Sequence, residues 1–184
     1  MDLWKRFKKG DEDAFAAIYE QYVGILYNYG CHIVADTFLV QDAIQDLFVD
    51  LWRMRQNLSD TTSIKFYLFR ALRRKLHQLV KAEQIFTKFP TLTPLFTPAQ
   101  ETEFMANEAS AEMLQILQNH LKTLPPRQFE AIRLRFFEDF KFEEIASIMD
   151  MNEQSVRNLI QRAILKLRKL FGSSVCIFSL LFFL

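Results

Sequence analysis

Glycine is scarce in this chain, with four residues among 184. All-β proteins need glycine in their many tight turns, so the scarcity argues against a β-sandwich or a β-barrel. Helices have the opposite requirement, because an interior glycine costs about 1 kcal/mol relative to alanine. Half of the residues are hydrophobic, which is enough to build a packed interior. The composition therefore favours an all-α protein.

Cysteine and histidine are also rare. The two cysteines, Cys31 and Cys176, form no CxxC motif, and the three histidines lack metal-ligand spacing. The sequence contains neither a glycine-rich phosphate loop nor a recognisable pair of nucleophile and base. We therefore expect no metal site, no cofactor and no catalytic residues. Because the charged N-terminus is unlike a secretory signal, we expect a cytoplasmic protein with reduced thiols.

Carboxylates are missing from two segments that are rich in lysine and arginine. Segment 64–82 has six basic residues and segment 154–184 has five, and neither contains an aspartate or a glutamate. The formal net charge of +1 therefore conceals two basic blocks, and this distribution favours nucleic acid as a partner.

Apolar residues recur at helical spacing along most of the chain. The pattern predicts helices over residues 11–33, 38–56, 64–82, 104–124, 127–138, 142–149 and 153–171. Asp36 and Thr37 have the residue types of a helix N-terminus, and Pro125-Pro126 should open the helix that follows them. The last two helices, joined by the turn at 150–152, fit a helix-turn-helix.

Three prolines separate these helices into two groups. Pro90, Pro94 and Pro98 recur every four residues, and a run with this spacing cannot be helical. The predicted organisation is a first domain at 1–85, a proline-containing linker at 86–103, a second domain at 104–171 and an apolar tail at 172–184. The tail is too short to span a membrane. It either packs onto an apolar groove or docks on an inhibitor or a membrane surface.

One helix face of the first domain carries acidic residues at a spacing of four, which places them on one side. Carboxylates mixed with amide and apolar side chains favour a docking face for a basic partner, and an ordinary solvated face is the alternative. The members of this acidic stripe are Asp42, Gln45, Asp46 and Asp50, with Leu47 and Val49 among them.

Basic and aromatic residues alternate in the helix at 64–82. Lysine and arginine neutralise phosphates, and aromatic rings stack on unpaired bases. Part of this pattern belongs to the core, but it favours a nucleic-acid surface. The residues expected to face outward are Lys65, Tyr67, Arg70, Arg73 and Arg74.

The last helix has an apolar stripe and a polar face. Arginine, asparagine and glutamine are the side chains that read base edges, and the first residues of a recognition helix reach the groove. A charged solvent face is the alternative. The candidate readers are Gln154, Arg157, Asn158, Gln161 and Arg162.

Together these segments resemble the bacterial sigma factors of the extracytoplasmic-function (ECF) type. Segment 42–52 (DAIQDLFVDLW) is similar to the region 2 helix that docks on the clamp helices of the RNA polymerase β′ subunit. Its amino-acid sequence resembles that of the Bacteroidota branch most. Segment 66–75 is similar to the helix that contacts the minus-ten promoter element. Segment 57–63 matches the loop that accepts a flipped promoter base.

The second domain resembles region 4, which reads the minus-thirty-five element. The motifs are LPPRQ at 124–128, FEEIA at 142–146 and SVRN at 155–158. Asp150 departs from the pattern, because many relatives have glycine there, and we expect a turn that is built differently.

The resemblance implies a sigma factor that binds core RNA polymerase (β′ clamp helices and β) and promoter DNA, under a membrane-bound anti-sigma factor. The implied polymerase-binding residues are Asp42, Gln45, Asp46 and Asp50. Those for the minus-ten element are Asn57, Ser59, Asp60, Lys65, Tyr67, Arg70, Arg73 and Arg74. Those for the minus-thirty-five element are Gln154, Ser155, Arg157, Asn158, Gln161 and Arg162. A free-standing helix-turn-helix regulator and a membrane-associated interaction protein are the alternatives.

Overall fold

The computed structural model describes residues 3–61, 63–83, 117 and 119–171. Its ordered secondary structure in these ranges is helical, without a strand, which confirms the all-α class. The chain divides into two compact units, Met1–Thr97 and Pro98–Leu184. The predicted linker at 86–103, most of the predicted helix at 104–124 and the tail at 172–184 lie outside the described residues.

The first unit is a helical bundle. Its elements are α1 (Leu3–Lys8), α2 (Glu12–Ile33), α3 (Thr37–Met54), a 3₁₀ turn (Arg55–Asn57) and α4 (Ile64–Glu83). Three of the helices begin at a side-chain cap, because the first amides of a helix have no partner within it. Asp11 accepts from the Ala14 amide, Asp36 from the Phe38 amide and Ser63 from the Phe66 amide. The predicted start at Asp36-Thr37 is confirmed.

Helices α2, α3 and α4 enclose the core of this unit. Buried side chains recur on one face of each helix, so the helical spacing seen in the sequence is the spacing of the core. Gly30 in α2 permits a close approach to α3, since an added Cβ there would lie 2.6 Å from Cγ1 of Val40. Helix α1 was not predicted, and it packs Trp4 and Phe7 against this core.

The second unit contains α5 (Pro126–Phe136), α6 (Phe142–Met149) and α7 (Glu153–Phe171), and residues 119–122 are also helical. The predicted bounds of α6 and α7 agree with the structure. Pro126 opens α5 at a first-turn position, where its missing amide proton costs nothing. Helix α5 ends earlier than predicted, and Asp139 shortly after it has a φ of 54°.

The turn between α6 and α7 uses an aspartate where a glycine was expected. Asp150 has φ 52° and ψ 58°, in the left-handed region, and its amide donates to the Ala146 carbonyl. This is the conformation that glycine adopts most readily at the end of a helix. The prediction of a differently built turn was therefore wrong, because the backbone keeps the glycine-type geometry. Asn152 then caps α7 by accepting from the Ser155 amide at 2.7 Å.

Candidate functional site

The acidic stripe on α3 is exposed at one end and internally paired at the other. Asp42, Gln45 and Asp46 are exposed, and Asp50 is half-buried. Lys75 of α4 places its Nζ 2.8 Å from Asp50 Oδ2 and 3.7 Å from Asp46 Oδ2. The charge that the stripe presents to a basic partner is therefore concentrated toward Asp42.

The apolar part of the stripe differs from the prediction. Leu47 is 4% exposed, because its position on α3 faces the core, so it adds nothing to the outer face. Val49 is 47% exposed and does belong to that face. It adjoins a groove of about 790 Å³ between α2 and α3, which Gln45 also lines.

Aromatic side chains dominate this α2–α3 groove. Phe15, Tyr19 and Tyr27 line it from α2, and Phe48 and Trp52 line it from α3. Sequence reasoning missed the groove. A signal was present, since α2 carries more large apolar residues than one buried stripe requires.

Three predicted minus-ten residues lie between α3 and α4: Asn57 ends the 3₁₀ turn, and Ser59 and Asp60 lie in the α3–α4 loop that follows it. Asn57, Ser59 and Asp60 are all exposed. The Lys8 ammonium lies 2.7 Å from Asp60 Oδ1, and this contact lowers the pKa of the Asp60 carboxyl. The Trp4 indole donates to the Ser59 carbonyl at 3.1 Å.

The basic face of α4 is smaller than predicted. Arg70 and Arg74 are exposed, whereas Arg73 is 7% exposed and does not face outward as expected. The reason is helical geometry: position 73 lies one turn after the buried Phe69 and one turn before the buried Leu76. The outward-facing arginines of α4 among the described residues are thus Arg70 and Arg74.

Lys65 and Tyr67 at the start of α4 are half-buried. The Lys65 Nζ lies 5.7 Å from the ring centroid of Phe69, and the Tyr67 ring packs 5.4 Å from that of Trp4. Burial raises the pKa of the Tyr67 hydroxyl, and the charge of Asp50 adds to this effect. Both side chains are therefore oriented by core aromatics, with only part of each surface open to a ligand.

The polar face of α7 is exposed as predicted. The exposed residues are Gln154, Arg157, Asn158, Gln161 and Arg162, and Ser155 is half-buried at the first turn. The Gln154 amide donates to the Asn158 side-chain oxygen at 3.1 Å, one helical turn away. The opposite face is buried at Val156, Ile160, Ala163 and Leu167, which fixes the direction of the polar face.

Arg157 is held by two neighbours within the helix-turn-helix. Its Nε donates to Glu153 Oε1 at 3.0 Å, and its guanidinium lies 4.1 Å from the ring centroid of Phe142. A second guanidinium, that of Arg135, lies 5.1 Å from the same ring. The Phe142 ring thus stacks with two cations, an arrangement that stabilises guanidinium groups over aromatic faces.

Two family comparisons agree with this geometry. Residues 18–84 match the sigma-70 region 2 profile, and residues 114–167 match the sigma-70 region 4 profile. The chain belongs to the sigma-70 family. Sigma factors are initiation factors without catalytic activity of their own, so the prediction that this protein is not an enzyme is confirmed.

Similar proteins extend over most of this sigma factor. The ECF RNA polymerase sigma factor BldN of Streptomyces coelicolor is 25% identical over 92% of this chain and 65% of its own length. The ECF RNA polymerase sigma factor SigM of Bacillus subtilis is 21% identical over 86% of this chain and 95% of its own. The chain thus spans slightly less than two thirds of BldN and nearly all of SigM. These relatives place this sigma factor in the ECF group.

A solved structure has the same fold. The sigma factor RpoE of Bartonella quintana, in complex with the anti-sigma factor NepR, aligns with a TM-score of 0.63 and 19% identity. The alignment covers 87% of this chain and 98% of that chain. Among the described residues of this sigma factor, no helix is long and apolar enough to cross a membrane.

Proposed function

We propose that this sigma factor binds core RNA polymerase and directs promoter-specific transcription initiation in the cytoplasm. The observation that carries the proposal is a separation of exposed charge. Exposed carboxylates predominate on α3, where Arg53 near the C-terminal end is also exposed. Exposed guanidinium groups predominate on α4 and α7, where Glu153 in the first turn of α7 is also exposed. One chain therefore offers a surface for a basic protein partner and two surfaces for DNA.

The two domains have different roles in this proposal. The first, at 1–85, docks through the acidic stripe on the β′ clamp helices, with further contacts to β, and uses the α3–α4 loop and α4 at the minus-ten element. The second, at 104–171, places α7 in the major groove of the minus-thirty-five element, as recognition helices do. The linker at 86–103 joins the two domains along the chain.

The polymerase contact is tested by charge reversal on α3. We expect Asp42→Lys and Asp46→Lys to reduce capture of purified core RNA polymerase strongly, because each puts a cation against a basic partner. Asp13→Lys, at an exposed site on α2, is the matched control and should bind normally. Equal capture by all three variants would contradict the assigned docking face.

A free-standing helix-turn-helix regulator is the alternative outcome. Such a protein would bind duplex DNA tightly without polymerase and give no promoter-dependent transcripts with core enzyme. The acidic stripe would then have no role, and its charge reversal would leave function intact. Measuring DNA affinity with and without core polymerase separates the two functions.

We also infer that an anti-sigma factor, anchored in the membrane, inhibits this protein. Support comes from the structural similarity to RpoE, which was solved with the anti-sigma factor NepR. The amino-acid sequence of segment 42–52 supports the assignment of this sigma factor to the Bacteroidota branch. Co-purification with the product of an adjacent gene, and loss of transcription when that product is added, would test the regulation.

A further inference from the structure

Helix α1 lies outside the region 2 match, which begins at residue 18, yet it is built firmly into the first unit. Trp4 is 1% exposed and Phe7 is fully buried. The Phe7 ring centroid lies 5.8 Å from that of Phe15 and 6.3 Å from that of Trp52. Phe7 thus anchors this helix of six residues to both α2 and α3, and Trp4 is buried beside it.

The far end of α1 is fixed as well. The chain turns at Gly10, whose φ of +89° is accessible mainly to glycine. Arg6 Nε then donates to Asp11 Oδ2 at 2.7 Å, and Asp11 in turn caps α2 through the Ala14 amide. The orientation of α1 is therefore set by the first turn of α2.

Two side chains of α1, one helical turn apart, reach the α3–α4 loop. Trp4 donates its indole proton to the carbonyl oxygen of Ser59 at 3.1 Å, and the Lys8 ammonium lies 2.7 Å from Asp60. The Trp4 ring also contacts the Tyr67 ring of α4. Because the contact to Ser59 uses its main chain, the Ser59 side chain stays exposed. The Asp60 side chain also stays 72% exposed, although one of its oxygens pairs with Lys8.

We propose that Trp4 and Lys8 are positioning residues for minus-ten readout, which hold Ser59 and Asp60 so that the loop meets an unpaired promoter base in a preformed shape. The inference rests on the proposed function, in which this loop accepts the base. A loop that is ordered before binding loses less conformational entropy when it binds. Lys8 also compensates the Asp60 carboxylate, which would otherwise repel the DNA phosphates.

The test measures base preference. Reconstituted holoenzyme transcribes a template library that is randomised at both promoter elements, and the transcripts are sequenced. We expect Trp4→Phe, which keeps a ring but removes the donor, to reduce the preference at the loop-read minus-ten positions about fivefold. This factor corresponds to the ~1 kcal/mol that one hydrogen bond contributes. Preference at the minus-thirty-five positions and affinity for core polymerase should stay unchanged.

Lys8 provides a variant that leaves the buried aromatic residues intact. Lys8→Met should also reduce the minus-ten preference, and Lys8→Arg should restore it, because an arginine can pair with Asp60. Lys9→Met removes a neighbouring exposed lysine and should behave like wild type. Comparing Lys8→Met with Lys9→Met separates the loss of the ion pair with Asp60 from the general effect of losing one positive charge.

The outcomes are distinct. If Trp4→Phe and Lys8→Met lower only the total transcript yield, with wild-type preference at every position, α1 serves folding and the positioning role is overturned. If Trp4→Phe does not fold, Lys8→Met decides the question by the same readout. If the wild-type protein neither binds core polymerase nor shows base preference, the proposed function itself fails.

Discussion

At the scale of single residues, Asp150 holds a conformation that costs most side chains free energy. Its left-handed backbone is sterically unfavourable for residues with a Cβ, by roughly 1–2 kcal/mol, and aspartate tolerates it better than most. We expect Asp150→Gly to raise the free energy of unfolding by up to about 1 kcal/mol. Asp150→Val should lower it by ~1–2 kcal/mol, since a β-branched residue fits this region worst. Urea denaturation measures both changes.

The control for this prediction is an aspartate with helical backbone geometry. Asp13 lies in the first turn of α2, where glycine has no conformational advantage. Asp13→Gly should therefore destabilise the protein, opposite in sign to Asp150→Gly. A stabilising effect at both positions would show that the backbone of Asp150 is not the cause.

Arg157 is a predicted promoter contact that is already engaged within its own domain. Glu153 holds it by an ion pair that involves two guanidinium nitrogens, and a base or phosphate would have to compete for the same donors. We expect Glu153→Gln to strengthen binding of the holoenzyme to promoter DNA a few-fold at low salt. The measurement is a fluorescence anisotropy titration of labelled promoter fragments.

Two comparisons make this prediction specific to Arg157. Glu143→Gln removes an exposed carboxylate from the neighbouring α6 and should have a smaller effect. In an Arg157→Ala background, Glu153→Gln should lose most of its benefit, because the guanidinium that it releases is gone. Additive effects of the two substitutions would mean that Glu153 acts only through long-range repulsion of DNA.

At the scale of helices, α2 contains two glycines that differ in the space around their Cα atoms. A Cβ at Gly24 would meet nothing within 4 Å, whereas a Cβ at Gly30 would collide with Val40 of α3. We expect Gly24→Ala to stabilise the protein by up to ~1 kcal/mol through helix propensity. Gly30→Ala should destabilise it by roughly 1–3 kcal/mol through overpacking, since Val40 has little rotamer freedom.

Thermal or urea unfolding of the two variants tests this contrast within one helix. Because both substitutions are the same, differences in the unfolded chain largely cancel. If Gly30→Ala were as stable as Gly24→Ala, α2 and α3 could separate without cost, and the close approach at Gly30 would not be a packing constraint.

The helices also show what sequence periodicity could and could not predict. The bounds of α6 and α7, the start of α3 and the polar face of α7 followed from spacing and capping residues, which are local properties. Helix α1 was missed because six residues give too short a pattern, and its stability comes from the tertiary burial of Trp4 and Phe7.

Side-chain partners between helices were likewise beyond the sequence pattern. The pairing of Lys75 with Asp46 and Asp50 depends on how α3 and α4 pack, and no spacing rule within one helix contains it. Arg73 was predicted to face outward because it stands in a basic run, but the buried face of α4 is wide enough to include it. The α2–α3 groove arises from two helices and was not expected from either.

At the scale of the whole molecule, the net charge of +1 does not show which basic side chains are exposed to a ligand and which are neutralised within the protein. Arg74 is exposed on α4, whereas the neighbouring Lys75 is 26% exposed at its side chain and neutralised by Asp46 and Asp50. The sequence shows both as equal members of one basic run. Only the exposed arginine is positioned to displace counterions from DNA.

This difference can be measured as a salt dependence. For each phosphate contact that is lost, the slope of log affinity against log salt concentration falls by about 0.9 for duplex DNA and about 0.7 for single strands. We expect Arg74→Gln to reduce the slope of holoenzyme–promoter binding by such an amount and Lys75→Gln to leave it unchanged. Lys75→Gln should instead alter affinity for core polymerase, since it releases two carboxylates of the docking face. A slope that falls equally for both variants would mean that Lys75 leaves its acidic partners on DNA, and that the charges of this protein rearrange on binding.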